Sequence, residues 1–310
     1  MSEKIYVIGH KSPDLDSVVS AIAYANFKNI QEKTDVYIPA VAGEINRETQ
    51  YALEKFGFEK PETPEQAPGV KLVLVDHNEF SQSVEGVDEA EIVEVLDHHK
   101  VNFAYSQPIP FQVRPWGATA TIITDKFFQH NLEINKNLAG LMLSAILVDT
   151  VITKSPTTTK EDVKIIDQLA KLAEIESWEE FGIEIFKIRS DVSRLSARDI
   201  IKGDFKDFEL SSGKFGVGQV ETADLSEFDS REEELLQTLE EIKTEGDYHT
   251  TILFITDIME EGSRFLVASE DKEGLGESLG ADFSTENKAF IPGIMSRKKQ
   301  VAPKLEKKFA

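Results

Sequence analysis

Apolar residues follow two rhythms along the first 110 positions. Lys4–Gly9 is a short apolar run, Ser17–Ile30 carries Val18, Ala21, Ile22 and Ala25 at helical spacing, and Asp35–Val41 returns to a strand-like pattern. Asn46–Phe56 reads as a helix stopped by Gly57, and Lys71–Val75 and Ile92–Leu96 are further short runs rich in β-branched residues. This β-α-β-α-β alternation predicts an α/β domain with a parallel sheet flanked by helices on both faces. Helices are then predicted at Ala118–Gln129, Leu138–Val148, Lys160–Ala173 and Trp178–Ile188. Arg189–Ser196 is polar and aperiodic, the mark of a linker. Strands near Gly216–Glu221, Thr251–Asp257 and Phe265–Ala268, with a charged helix at Arg231–Lys243, predict a smaller C-terminal α/β domain with a mixed sheet. The expected division is 1–188, a linker at 189–196, and 197–310.

Three of the predicted strands end in the same chemistry. Lys4–Gly9 runs into His10, Asp14, Asp16 and Ser17; Lys71–Val75 into Asp76, His77 and Asn78; and Ile92–Leu96 into Asp97, His98 and His99. In an open α/β sheet, ligands bind outside the carboxyl ends of the strands, so three segments deliver His and Asp to one edge. Taken alone, Asp14 to Ser17 also fits a turn and helix cap. Taken together, four of the six histidines follow strands and sit beside acids. A fourth acid, Asp149, ends the predicted helix Leu138–Val148, which is apolar almost all round. An ionised carboxylate there is costly unless a cation meets it or the helix end emerges into solvent.

Composition narrows the cation. The 310 residues contain no Cys, which removes disulfides, thiolate zinc sites, iron–sulfur clusters and cysteine nucleophiles. Aspartates with one or two imidazoles suit Mn²⁺ or Co²⁺, and two such ions clamp both oxygens of a phosphoryl displacement around a bridging hydroxide. The formal charge of −22 disfavours nucleic acid and anionic membranes as partners, and at first sight an anionic substrate too. The N-terminal residues lack the basic and apolar regions of a signal peptide, so a cytoplasmic protein is expected. Against the acidic background, Ser296-Arg297-Lys298-Lys299-Gln300 opens a basic segment that reads either as a solvated tail or as a folded loop for phosphate.

These residues resemble the family II inorganic pyrophosphatases, a branch of the DHH phosphoesterase superfamily. The likeness rests on Gly9-His10 with Pro13-Asp14 and Asp16-Ser17, on Asp76-His77-Asn78, on Asp97-His98-His99, on Asp149-Thr150 followed by Lys154-Ser155-Pro156-Thr157-Thr158, and on Ser296 to Gln300. The first three motifs run through the superfamily, and the last is the specific one. The resemblance implies hydrolysis of pyrophosphate to two phosphates. It also implies two Mn²⁺ or Co²⁺ ions per subunit, further Mg²⁺ arriving with substrate, and a homodimer. His10, Asp14 and Asp76 would hold one ion, and Asp16, Asp76, His98 and Asp149 the other. His99 would be the general acid, and Lys206, Arg297 and Lys298 would bind substrate. Residues 1–188 would be the DHH-type catalytic domain and 197–310 a DHHA2-like substrate domain, joined by a hinge with the site in the cleft. Asp97 would orient the histidines. His77 has no role derivable from sequence, and Thr157-Thr158-Thr159-Lys160 departs from the Thr-Thr-His run of some members.

Rival readings are a DHH-type phosphodiesterase, a short-chain polyphosphatase, and a non-catalytic nucleotide- or metal-binding regulator. The phosphodiesterases carry a Gly-Gly-Gly-His segment that is absent here, and every ligand position that the resemblance requires is occupied.

Overall fold

The computed structural model describes residues 4–64, 69–189, 192 and 195–310. The chain forms two compact units, Met1–Arg189 and Ser190–Ala310. The first opens with β1 (Ile5–Ile8), α1 (Leu15–Glu32), β2 (Tyr37–Ala40), α2 (Arg47–Phe56), β3 (Lys71–Val75), β4 (Glu91–Asp97) and β5 (Phe111–Val113). All the strand pairs are parallel, in the order β2-β1-β3-β4-β5. The order reverses between β1 and β3, the kind of switch point at which such sheets open a crevice for ligands. Helices α3 (Thr119–Gln129), α4 (Lys136–Asp149), α5 (Lys160–Ala173) and α6 (Trp178–Arg189) complete the unit.

Helix α4 is apolar all round because it is buried among other helices: α1, α2, α3, α5 and α6 all pack on it. Gly140 permits the approach of α2, since a Cβ there would lie 2.1 Å from the Phe56 ring. One face of the sheet packs against α1. The other carries Ile8, Leu72, Leu74, Ile92 and Val95, and it is covered by Val87, Phe80, Phe103, Tyr105 and Ile109 from 3₁₀ turns and loops, where the alternating rhythm predicts helices on both faces.

In the second unit, α7 (Ala197–Gly203), β6 (Phe205–Leu210), β7 (Gly213–Thr222), α8 (Glu232–Glu245), β8 (Tyr248–Asp257), β9 (Gly262–Ser269), α9 (Lys272–Leu279), β10 (Lys288–Pro292) and α10 (Ala302–Phe309) build a mixed sheet. Its order is β10-β9-β8-β7-β6, with β7 and β8 parallel and the other pairs antiparallel. Strand alternation sends Ile252 and Phe254 to one core with Leu275, Leu305 and Phe309, and Leu253 and Ile255 to another with Ile201, Leu235 and Leu239. Of the expected linker, residues 190, 191, 193 and 194 lie outside the described residues, and Arg189 belongs to α6.

Asp162, in the first turn of α5, ties three segments together. It accepts hydrogen bonds from the backbone of Gly117 (2.8 Å) and Thr159 (2.7 Å) and from the hydroxyls of Thr121 (2.7 Å) and Thr159 (2.6 Å). The residue is fully buried, so its removal strands several donors at once. Asp162→Ala is expected to destabilise the protein by about 3 kcal/mol and Asp162→Asn by clearly less, as read from urea unfolding.

Candidate metal centre

The site starts from local backbone demands at the strand ends. After β1, a Cβ on Gly9 would lie 1.9 Å from Ser17 Oγ, so only glycine lets the chain fold back onto the first turn of α1. There the His10 amide donates to Ser17 Oγ (3.0 Å) and Asp14 caps the helix by accepting from the Ser17 amide (2.9 Å). Asp14 is therefore a helix cap and, through its other oxygen 3.5 Å from His10 Nε2, a member of the cluster; the two readings hold together.

Asp16 points to a different helix. Its Oδ2 accepts from the Thr119 amide (2.7 Å) and its Oδ1 from the Ala120 amide (3.0 Å) and Ser20 Oγ (3.3 Å). The N-terminus of α3 has no side-chain cap of its own, so the Asp16 carboxylate supplies the anion it lacks. Asp76 follows β3 in a left-handed conformation (φ 60°) and is pinned by its amide to Leu96 O (3.0 Å) and by the Thr119 hydroxyl to its Oδ1 (3.0 Å).

β4 delivers the remaining imidazoles. Asp97 Oδ1 accepts from the amides of His98 (2.7 Å) and His99 (3.1 Å) and from His99 Nδ1 (2.9 Å), while its Oδ2 accepts from Asn78 (2.5 Å). His98 donates from Nδ1 to Trp116 O (3.0 Å), which leaves Nε2 as the ring nitrogen directed at the cluster. That Nε2 is buried without a hydrogen-bond partner, yet it lies 3.4 Å from Asp76 Oδ1 and 3.6 Å from Asp149 Oδ2. A ring nitrogen with no hydrogen-bond partner, set beside two carboxylate oxygens, is a place for a cation. His77 differs: it is buried, bonded to Val75 O (2.9 Å) and Ser83 Oγ (2.8 Å), and pushed down by burial to about 4, so it is neutral scaffolding behind the site.

Asp149 ends α4, and the chain then makes a left-handed turn through Val151, Ile152 and Thr153 (φ 50°, 50° and 66°). For β-branched residues this costs ~1–2 kcal/mol each. The turn is held by Ile152, which is buried and donates its amide to Leu147 O (2.7 Å), and by Ser155, whose amide donates to Thr150 O (2.8 Å). Strain fixed in this way at the end of a buried helix sets where the Asp149 carboxylate sits.

The donors fall into overlapping groups with atoms within 4.8 Å of one another: His10, Asp14 and Asp76; Asp16, Asp76, His98 and Asp149; and Asp76, His98 and His99. Burial, then the charges of the other aspartates, pushes Asp76 and Asp149 well above the usual carboxylate range. Burial also raises Asp16, against the pull of His98. For Asp14, burial is outweighed by the hydrogen bond and charge of His10, which lower it. Burial and mutual repulsion thus make the charged carboxylates Asp16, Asp76 and Asp149 unfavourable on their own, and divalent cations supply the opposing charge. The all-O/N donor set and the orphaned His98 Nε2 fit such ions.

In the second unit, Lys206, Arg297 and Lys298 line one cavity of about 540 Å³ with Gln219 and Ser296. The basic segment is not a solvated tail: Arg297–Val301 forms a π-helical turn and α10 follows, with Arg297, Val301, Leu305 and Phe309 buried. Ser296 caps the turn by accepting from the Lys299 amide (3.3 Å), and Gln300 reaches back to the amides of Met295 (2.9 Å) and Ser296 (3.0 Å). Thr119 and Asp162 are supporting residues that sequence spacing did not flag, because they bond to segments distant in the chain, and Ser83 escaped because it acts on the site only through the ring of His77.

A profile of the DHH family N-terminal domain matches residues 4–146, and one of the DHHA2 domain matches residues 183–308. The chain is 44% identical to a manganese-dependent inorganic pyrophosphatase of Methanocaldococcus jannaschii, with 98% of this chain and 99% of that protein covered. It is 43% identical to one of Methanothrix thermoacetophila, covering 100% of this chain and 99% of the other. Among solved structures, a Methanococcus jannaschii protein assigned to the family II inorganic pyrophosphatases aligns with a TM-score of 0.64 and 42% identity, over 98% of this chain and 99% of that one.

Because charge repulsion destabilises the empty cluster, Mn²⁺ added to metal-stripped protein is expected to raise its unfolding temperature. The gain is about 2.7 kcal/mol at a hundredfold excess over Kd. Asp76→Asn, which touches every donor group, is expected to remove most of that gain in the same thermal melts.

Proposed function

The chain belongs to the manganese-dependent, family II inorganic pyrophosphatases, and on that premise we propose that it hydrolyses pyrophosphate to two phosphates with the residues gathered at the ends of β1, β3 and β4. The observation that carries the reading is the unpartnered His98 Nε2 facing Asp76 and Asp149 within donor groups that share Asp76. In this reading His10, Asp14 and Asp76 hold one ion, and Asp16, Asp76, His98 and Asp149 the second. Bound Mn²⁺ supplies Lewis-acid neutralisation of phosphate oxygens and acidifies a water that serves as nucleophile.

The protein's own contribution begins with His99. Its Nδ1–H is committed to Asp97, whose hydrogen bond raises the imidazole above its ordinary range, and the side chain is half exposed. A proton held on Nε2 therefore faces outward, available to the oxygen of the departing phosphate as the P–O bond breaks. Asp97 takes no proton in this account; it fixes the ring and stabilises the imidazolium, and Asn78 holds Asp97 in turn. Lys206, Arg297 and Lys298 neutralise the substrate's remaining oxygens, with the guanidinium suited to a two-point contact and each lysine to a point charge. The reading further includes two ions per subunit with Co²⁺ as an alternative occupant, Mg²⁺ carried in by substrate, and a cytoplasmic homodimer. Among the described residues no helix is long and apolar enough to cross a membrane.

Two measurements test the assignment. A metal-stripped preparation given Mn²⁺ should cleave pyrophosphate and leave a dinucleotide intact, with tripolyphosphate as the control for a polyphosphatase. Background release of phosphate at full metal occupancy would reject it. His99→Gln is expected to lower kcat by about 10²–10⁴-fold at unchanged metal content. Turnover within a few-fold of the parent would remove His99 from the acid role.

A further inference from the structure

Arg297 is buried in the second unit, and most of its hydrogen-bonding capacity is already spent. Nη1 donates to the carbonyl oxygens of Asp204 (2.6 Å) and Val217 (3.2 Å), and Nη2 donates to Asp204 Oδ1 (2.5 Å). A guanidinium has five N–H donors, so these contacts use three. One residue, Asp204, grips both terminal nitrogens and so occupies the end edge of the planar group. The N–H of Nε and the second N–H of Nη2 remain, and they lie together on the side edge, spaced for two oxygens of one phosphate. Arg297 lines the cavity shared with Lys206 and Lys298.

Asp204 also sets the second cation. It immediately precedes β6, its carbonyl accepts the Gln219 amide of β7 (3.0 Å), and Lys206 stands two residues further on. One residue thus registers the strand that carries Lys206 and orients the guanidinium.

We propose that Asp204 is a positioning residue for the diphosphate: by clamping the end edge of Arg297 it presents the side edge, preoriented, to one phosphate group. The inference rests on the assignment of Arg297 to substrate made above. Simple electrostatics gives the opposite sign. A carboxylate 2.5 Å from Arg297 weakens the cavity's attraction for an anion, so deleting it for its charge alone lowers KM. Deleting it as a positioning group raises KM.

The test is steady-state hydrolysis of pyrophosphate by the full-length, Mn²⁺-loaded protein. Asp204→Ala is expected to raise KM about tenfold with kcat within about threefold, since the lost orientation is mostly a binding effect. Asp204→Glu, which keeps the charge but shifts the carboxylate by one methylene, is expected to raise KM as well, and it carries the test if the alanine variant folds poorly. Asp204→Asn keeps an acceptor oxygen and should stay near the parent. In an Arg297→Ala background, Asp204→Ala should add nothing, because the residue acts through the guanidinium. A KM that falls or stays constant in Asp204→Ala overturns the proposal, as does full additivity with Arg297→Ala or an Asp204→Asn variant as impaired as Asp204→Ala. If Arg297→Ala itself leaves KM unchanged, the assignment of the cavity falls and this inference with it; if that variant raises KM while Asp204→Ala does not, only this inference falls.

Discussion

Mutual repulsion among carboxylates is the constraint that shapes the first unit. Asp16 and Asp76 are buried, Asp14 and Asp149 adjoin them, and their oxygens converge with those of two imidazoles into groups a few ångströms across. Two like charges 4 Å apart repel by ~4 kcal/mol at the effective dielectric of a protein site. Left to local preference, such side chains would turn away from one another. Each is instead held by an element that cannot easily move: Asp14 by the start of α1, Asp16 by the amides opening α3, Asp76 by a strand end and the Thr119 hydroxyl, and Asp149 by a strained left-handed turn. The folded state stores this opposition and releases it when cations arrive, so folding, protonation and metal binding become one linked equilibrium.

The same logic explains why the supporting residues are so unlike the ligands. Asp97, Asn78, His77, Ser83 and Thr119 carry hydrogen bonds between chain segments, and most are buried and fully partnered. His77 is the clearest case. Flanked by Asp76 and Asn78, it has no role that the sequence assigns, and its two ring nitrogens are taken by Val75 O and Ser83 Oγ. Asp76 breaks from the strand in a left-handed conformation, and His77 follows it with both ring nitrogens already bonded within the protein.

What was legible in the sequence follows from how local each signal is. β3 and α5 appear with their expected bounds because four consecutive apolar residues after Lys71, and a Thr-x-x-Asp capping box before an apolar periodicity, are complete local instructions. The gathering of His10, Asp76 and His98 was legible because a parallel sheet puts all its strand ends on one edge. The elements that escaped are those defined by partners. β5 is three residues at a sheet edge, β6 carries Phe205 and Phe208 toward opposite faces, and α10 hides its buried Leu305 and Phe309 among lysines. The covering of the sheet's second face by loops likewise has no period to read, since Phe80, Phe103 and Ile109 come from segments with no regular spacing.

Net charge misleads about substrate for a related reason. The formal −22 is a property of the whole chain, whereas recognition of an anion depends on charges within a Debye length of about 8–10 Å. The basic segment makes this concrete. Ser296 and Gln300 spend their polar atoms on folding a π turn, Arg297 is drawn inward, and Lys298 stays at the cavity with Lys206. Five adjacent residues thus divide into two that shape the backbone and others that present charge. A π turn suits that division, because widening the helix by one residue per turn moves neighbouring side chains onto positions that a regular α-helix does not offer. The motif is specific because its polar residues serve geometry as well as charge, and a segment of equal charge without Ser296 and Gln300 would lose the side-chain bonds that brace the turn.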